Sequence, residues 1–241
     1  RARGKAQSLF YCRTPRRSSR SYPVFSLTQS VDRLKSLFLA QLFIIYTRYL
    51  IGGAFVFACI IKIKGKRFTT YSQEDAPLGS TMHFFEVLYQ TGLYWQFIGW
   101  AQLLEGFFLM TQRYAKLGAV LNLPILLNVF VITISMDFGG TPLITGLMLA
   151  ANLMLLIWHW GELKSLINLP YAPEAKDQEE NKPIWAITGL LLFLFTAGYR
   201  VLFDMYNNPF FWFGVIFIIG LSAFLIRLVQ RKRSKKNLSQ A

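Results

Sequence analysis

Arg48 and Glu105 stand deep inside long apolar runs of this chain. An ionisable group in that setting is costly, so it usually has a partner or a task. A guanidinium and a carboxylate on neighbouring helices can pair and fix the register of the two helices. They can also hold a headgroup or a water between them, or bind the polar end of a quinone or another small ligand. Arg200 and Asp204 are four residues apart, the spacing of an ion pair along one helix face. Asn128 and Asn152 lie in consecutive apolar runs and are expected to hydrogen-bond across them. His83, Glu86 and Gln90 share one face of a short amphipathic stretch, with Phe84, Phe85 and Leu88 on the other.

None of these residues forms the signature of a catalytic centre. His83 is expected at one membrane face and His159 at the other, so the two cannot serve as axial ligands of one haem held between helices. The sequence contains no Walker loop, no G-x-G-x-x-G and no cluster with metal-ligand spacing. Its two cysteines, Cys12 and Cys59, are far apart, which argues against dithiol chemistry. The expectation is therefore a protein without its own catalytic centre. The sequence does not fix a cofactor: a quinone is one ligand the Arg48–Glu105 pair would suit, and there is no haem or metal signature.

The elements that must carry these residues are apolar blocks. Hydrophobic residues make up 54% of the 241 and aromatics 16%, with a mean hydropathy of +0.36. A bilayer core needs about 20 mostly apolar residues per helix. Six blocks meet this need: 37–61, 94–111, 117–136, 142–160, 184–203 and 209–228. Residues 81–92 read as a helix lying at the membrane surface or dipping into it, and Tyr94-Trp95 as an interfacial aromatic belt. The "DFGGTP" turn makes blocks three and four an antiparallel hairpin.

A net charge of +14 would suggest nucleic acid in a soluble protein, but here the cations gather at the block ends. Twenty Lys and Arg residues fall on the side of the two termini and four, Lys62, Lys64, Lys66 and Arg67, on the other. That bias puts both termini in the cytoplasm and the chain in the cytoplasmic (inner) membrane, in contact with lipid and not with nucleic acid. The organisation expected is a basic arm over 1–33, a four-helix bundle over 34–163, a cytoplasmic linker over 164–183, a transmembrane hairpin over 184–228 and a basic tail over 229–241. The arm contains Arg16-Arg17, but no apolar region follows closely, as a twin-arginine signal would require. The fold class is all-α membrane protein.

"RYLIGGAFVFACIIKIKGKRF", "GWAQLLEGFFLMTQRYAKLGAVL" and "VITISMDFGGTPLITGLMLAANLMLLIW" resemble the four helices of DoxX-like membrane proteins, over roughly residues 38–163. The matching positions are Arg48, Gly52, Lys62, Glu105 and Gly106. The resemblance implies a small four-helix membrane bundle, to which the last two blocks are additional. It also implies a non-catalytic subunit of a redox assembly, linked to quinone or to oxidative stress, with protein partners in that assembly. The alternative is a lipid or small-molecule binding or transport protein that uses the same buried polar pair. Thiol-based chemistry of related families does not carry over, because its cysteines are missing here.

Overall fold

The structure, a computed structural model, describes residues 33–68, 72–168, 179–204 and 209–238. The basic arm, apart from Arg33, lies outside the described residues, and so does Cys12. All regular elements among the described residues are helical. They are α1 (Phe38–Ile63), α2 (Thr81–Gln90), α3 (Leu93–Met110), α4 (Ala115–Ser135), α5 (Thr141–Trp158), α6 (Pro183–Leu202) and α7 (Pro209–Leu238). Single turns at Trp160–Leu163, Lys164–Ile167 and Glu179–Asn181 follow α5 and precede α6.

Five helices are long and apolar enough to cross a membrane: α1, α4, α5, α6 and α7 over Phe210–Ser234. The chain is therefore a multi-pass membrane protein, since only helices with internally satisfied backbones cross lipid as separate segments. α3 has 18 residues but carries Gln96, Gln102 and Glu105, and it does not join the five by composition. α7 runs to Leu238, through basic residues that the sequence suggested were a tail beyond the span.

α1 is the axis of the bundle: 72% of its apolar window is buried, against 11% for α7. The end at which α1 begins is called proximal here, and the end at which it finishes distal. α3 runs antiparallel to α1, and glycines let the two backbones touch. A Cβ added to Gly106 would sit 2.9 Å from the Gly52 carbonyl oxygen, and one on Gly99 3.0 Å from that of Cys59. Close backbone approach of this kind is how helices pack where lipid removes the hydrophobic drive between them. α6 presses on the proximal end of α3 in the same way, since a Cβ on Gly189 would fall 1.6 Å from the Met110 carbonyl oxygen.

The α4–α5 hairpin is tied by Thr133 Oγ1 and Thr145 Oγ1 at 2.9 Å, distally, and by Asn122 and Asn152, proximally. α7 is fixed to α1 by the Tyr46 hydroxyl, which donates to the Gly220 carbonyl at 2.7 Å. α2 starts at Ser80, whose hydroxyl accepts from the His83 N–H at 3.2 Å as an N-cap, and it ends before Gly92 at φ +59°. Trp95 is not part of a lipid-facing belt. It is buried, and its indole N–H donates to the Lys66 carbonyl at 2.9 Å, while Tyr94 remains exposed. A free indole N–H facing hydrocarbon would be costly, and the loop carbonyl removes that cost.

Candidate functional site

Arg48 lies 10 residues into α1, about 15 Å along its axis. It is buried, and its guanidinium is held by three side chains at the proximal end. Nη1 donates to Gln112 Oε1 at 2.6 Å, just past the end of α3. Nη2 donates to His159 Nε2 at 2.5 Å, at the end of α5, and to the Glu180 carboxylate, on the turn before α6. Because arginine can only donate, the imidazole accepts at Nε2 and is neutral in this arrangement. Glu180 also approaches His159, at 3.7 Å. Gln112 takes a left-handed conformation, φ +61°, as α3 stops and the chain reverses.

The same acidic turn is docked from two other sides. The Glu179 N–H donates to Gln41 Oε1 at 2.5 Å, and the Glu179 carboxylate accepts two hydrogen bonds from Arg227 on α7, at 2.7 and 2.8 Å. Glu179 and Glu180 thus join α1 to α7 at the proximal end.

Arg48 and Glu105 do not pair. Side chains lean toward the N-terminus of their own helix. Arg48 on α1 therefore leans to the proximal end, while Glu105 on the antiparallel α3 leans to the distal end. Glu105 is level with Gly52 and Val56, which pack on its neighbour Gly106. It is buried, and neither carboxyl oxygen has a hydrogen-bond partner among the described residues.

Asn152 bonds across the hairpin, but to Asn122 rather than Asn128. Asn122 Nδ2 donates to Asn152 Oδ1 at 3.2 Å, and Asn152 Nδ2 donates to the Ala119 carbonyl at 3.1 Å. The tight turn at 136–140 sets the depth match. Counted down from the turn, Asn152 is nearer the level of Asn122 than that of Asn128. Asn128 instead faces the cavity described below.

The expected Arg200–Asp204 side-chain pair is replaced by two separate arrangements. The Arg200 guanidinium donates to the backbone carbonyls of Phe57, Phe203 and Asp204, each at 3.1 Å, and lies over the Phe57 ring. A cation suits the unsatisfied carbonyls at a helix C-terminus. The Asp204 carboxylate is taken by Lys64 and Lys66, whose hydrogen bonds hold it below the usual carboxylate range. Glu86 on α2 likewise receives Arg67 Nε at 2.9 Å on both oxygens, and this bond lowers its pKa. His83 contributes its backbone N–H to the helix cap, and its Nδ1 has no partner among the described residues. Three of the four cations of residues 62–67 are therefore matched by acids.

The fourth, Lys62, is different. It is buried, and its ammonium turns back along α1 to donate to the Ala58 carbonyl at 2.8 Å. It lies 5.4 Å from the Phe68 ring centre and 5.3 Å from that of Trp95, within cation–π range. No carboxylate accepts from it among the described residues. It lies in the lining of a partly open cavity of about 490 Å³ bordered by α1, α2, α3, α4 and α5. The walls are mostly apolar, with Ala54, Ala58 and Ala101 leaving space and Gln102 and Asn128 adding amides. Gln102 is buried, and its Oε1 has no partner among the described residues. This volume and polarity match those of small-molecule sites, which are apolar with few polar groups.

Several of these residues escaped the sequence analysis. Glu180 sits outside the apolar blocks, His159 at the very end of the fourth, and Gln112 in a short connection, so nothing local marks them as partners of Arg48. Lys62 reads as an ordinary end-of-helix charge. Its one legible signal is its place between Ile61 and Ile63, inside the apolar run that Lys64, Lys66 and Arg67 follow. Comparisons with family models, with curated proteins and with solved structures return no match.

Proposed function

We propose that this chain is a non-catalytic membrane protein that binds a lipid-soluble small molecule in the cavity between α1 and α5. The observation that carries this reading is the cavity itself: about 490 Å³, apolar in its walls, with the Lys62 ammonium and the unpaired Gln102 carbonyl at its edge. A pocket that was only a packing defect would have no reason to keep buried polar atoms without partners, since each is costly.

The surrounding architecture fits a DoxX-like bundle extended by the α6–α7 hairpin. α3 then serves as a sixth span, about 27 Å long, supported by its glycine contacts along α1. The cation bias puts the proximal end and both termini in the cytoplasm, with the chain in the inner membrane. A place in a redox assembly, with a quinone as ligand and protein partners, rests on the family resemblance. The pairing of Arg48 with Glu180 removes the Arg48–Glu105 site that this reading drew on, so the cavity is its remaining anchor.

The test is purification in a mild detergent, organic extraction and mass spectrometry of what comigrates. The wild-type chain is expected to carry a defined hydrophobic molecule near stoichiometry, and Ala101→Phe, which fills the cavity, to lose it. Equal carry-over in both proteins would mean that the molecule is annular lipid and that the cavity is not a binding site.

A further inference from the structure

Resting on that reading of the cavity, we infer that its ligand is a single-chain amphiphile with a monoanionic head, in the class of a long-chain carboxylate. Among the described residues Lys62 is the only cation lining the cavity, and its ammonium donates one hydrogen to the Ala58 carbonyl. Two donors remain for an acceptor in the cavity. Among the described residues Glu74, Glu86 and Asp204 of the distal end are matched by Arg67, Lys64 and Lys66, and no carboxylate, the buried Glu105 included, hydrogen-bonds or ion-pairs with Lys62. Phe68 and Trp95 flank the ammonium and shield it from water. A dry cation without a counter-charge calls for an anion, and the cavity is the open space beside it.

The size and shape select among anions. One ammonium matches one negative charge, and the mostly apolar walls match a hydrocarbon chain. A diacyl phospholipid would need room for two chains, and about 490 Å³ suits one. Gln102 Oε1 and the Asn128 amide lie along the walls, where they could hold a water or a hydroxyl near the head.

The experiment compares tritiated laurate with tritiated dodecanol, which has the same chain length without the charge, on the full chain in phosphatidylcholine nanodiscs. Wild-type protein is expected to bind laurate at least about tenfold more tightly than dodecanol, because a hydrogen bond to a charged group contributes that much. Lys62→Met should bring laurate binding down to the level of dodecanol, while Ala101→Phe should abolish both. Lys62→Gln, which retains a donor for the Ala58 carbonyl, serves the same purpose if Lys62→Met does not fold. Equal binding of laurate and dodecanol by the wild type, abolished by Ala101→Phe, would overturn the anionic ligand while leaving the cavity a binding site. Binding of neither, or binding insensitive to Ala101→Phe, would overturn both.

Discussion

The Arg48 guanidinium and the Glu180 carboxylate, 132 residues apart in sequence, form an ion pair inside the proximal end of the bundle. Both are shielded, with side-chain exposures of 2% and 9%. The pair ties the turn before α6 to the central helix, and Gln112 and His159 complete the hydrogen bonding of the arginine.

Removing one member of a shielded pair leaves an uncompensated charge, and that costs more than the pair contributes. Glu180→Ala is expected to lower stability by about 3 kcal/mol. The double variant Arg48→Met with Glu180→Gln should recover most of the loss. Unfolding titrations in mixed detergent micelles measure this. Loss in the double variant equal to or larger than in the single one would mean that Arg48 has a role apart from Glu180.

The distal ion pairs make stability depend on pH. Glu86 and Asp204 have folded-state pKa values below their unfolded ones, held there by Arg67 and by Lys64 and Lys66. Their contribution is therefore complete at neutral pH and is lost as pH falls through the folded values. The unfolded carboxylates titrate near about 4, so thermal stability should be level from neutral pH down to about 5 and decline below about 4. Asp204→Asn with Glu86→Gln should be less stable at neutral pH and show a shallower decline. An unchanged acid profile in that variant would place the acid-sensitive groups elsewhere.

Asn152 and Asn128 should respond differently to the same change. Asn152→Leu removes bonds to Asn122 and to the Ala119 carbonyl, and it is expected to cost about 1 kcal/mol. Asn128→Leu breaks no hairpin bond and should leave stability near wild type, while narrowing the cavity and reducing ligand carry-over. Equal stability losses in both would mean that Asn128 also holds the hairpin together.

Glu105 is buried without a hydrogen-bond partner among the described residues, so its polarity costs stability rather than adding to it. Glu105→Met, similar in volume and apolar, is expected to stabilise the protein by about 1–3 kcal/mol. A destabilised Glu105→Met would indicate that the carboxyl has a partner in the membrane, such as a bound ligand or a second copy of the chain.

Much of the fold was legible because lipid imposes a coarse rule: long apolar blocks become helices. The tight "DFGGTP" turn, the short helix α2 and the antiparallel order of the spans all followed from local composition. The partners of the polar groups did not. Arg48 and Glu105 looked like a pair because both lie deep in neighbouring runs, yet their side chains lean to opposite ends of antiparallel helices. Glu180 was hidden in a segment that read as linker, and Asn122 was passed over for Asn128 because depth along the hairpin is set by the turn. Lys62 was counted as a surface charge, although the backward lean of a helical side chain directs it into the bundle.

The most direct test of the central claim is an experimental density map of the full chain in lipid nanodiscs, without added ligand. The map should show an elongated feature within the cavity, running from the Lys62 ammonium past Gln102 and Asn128. A cavity closed by repacked Ile125, Met148 or Phe85, or open with no feature beside Lys62, would contradict it.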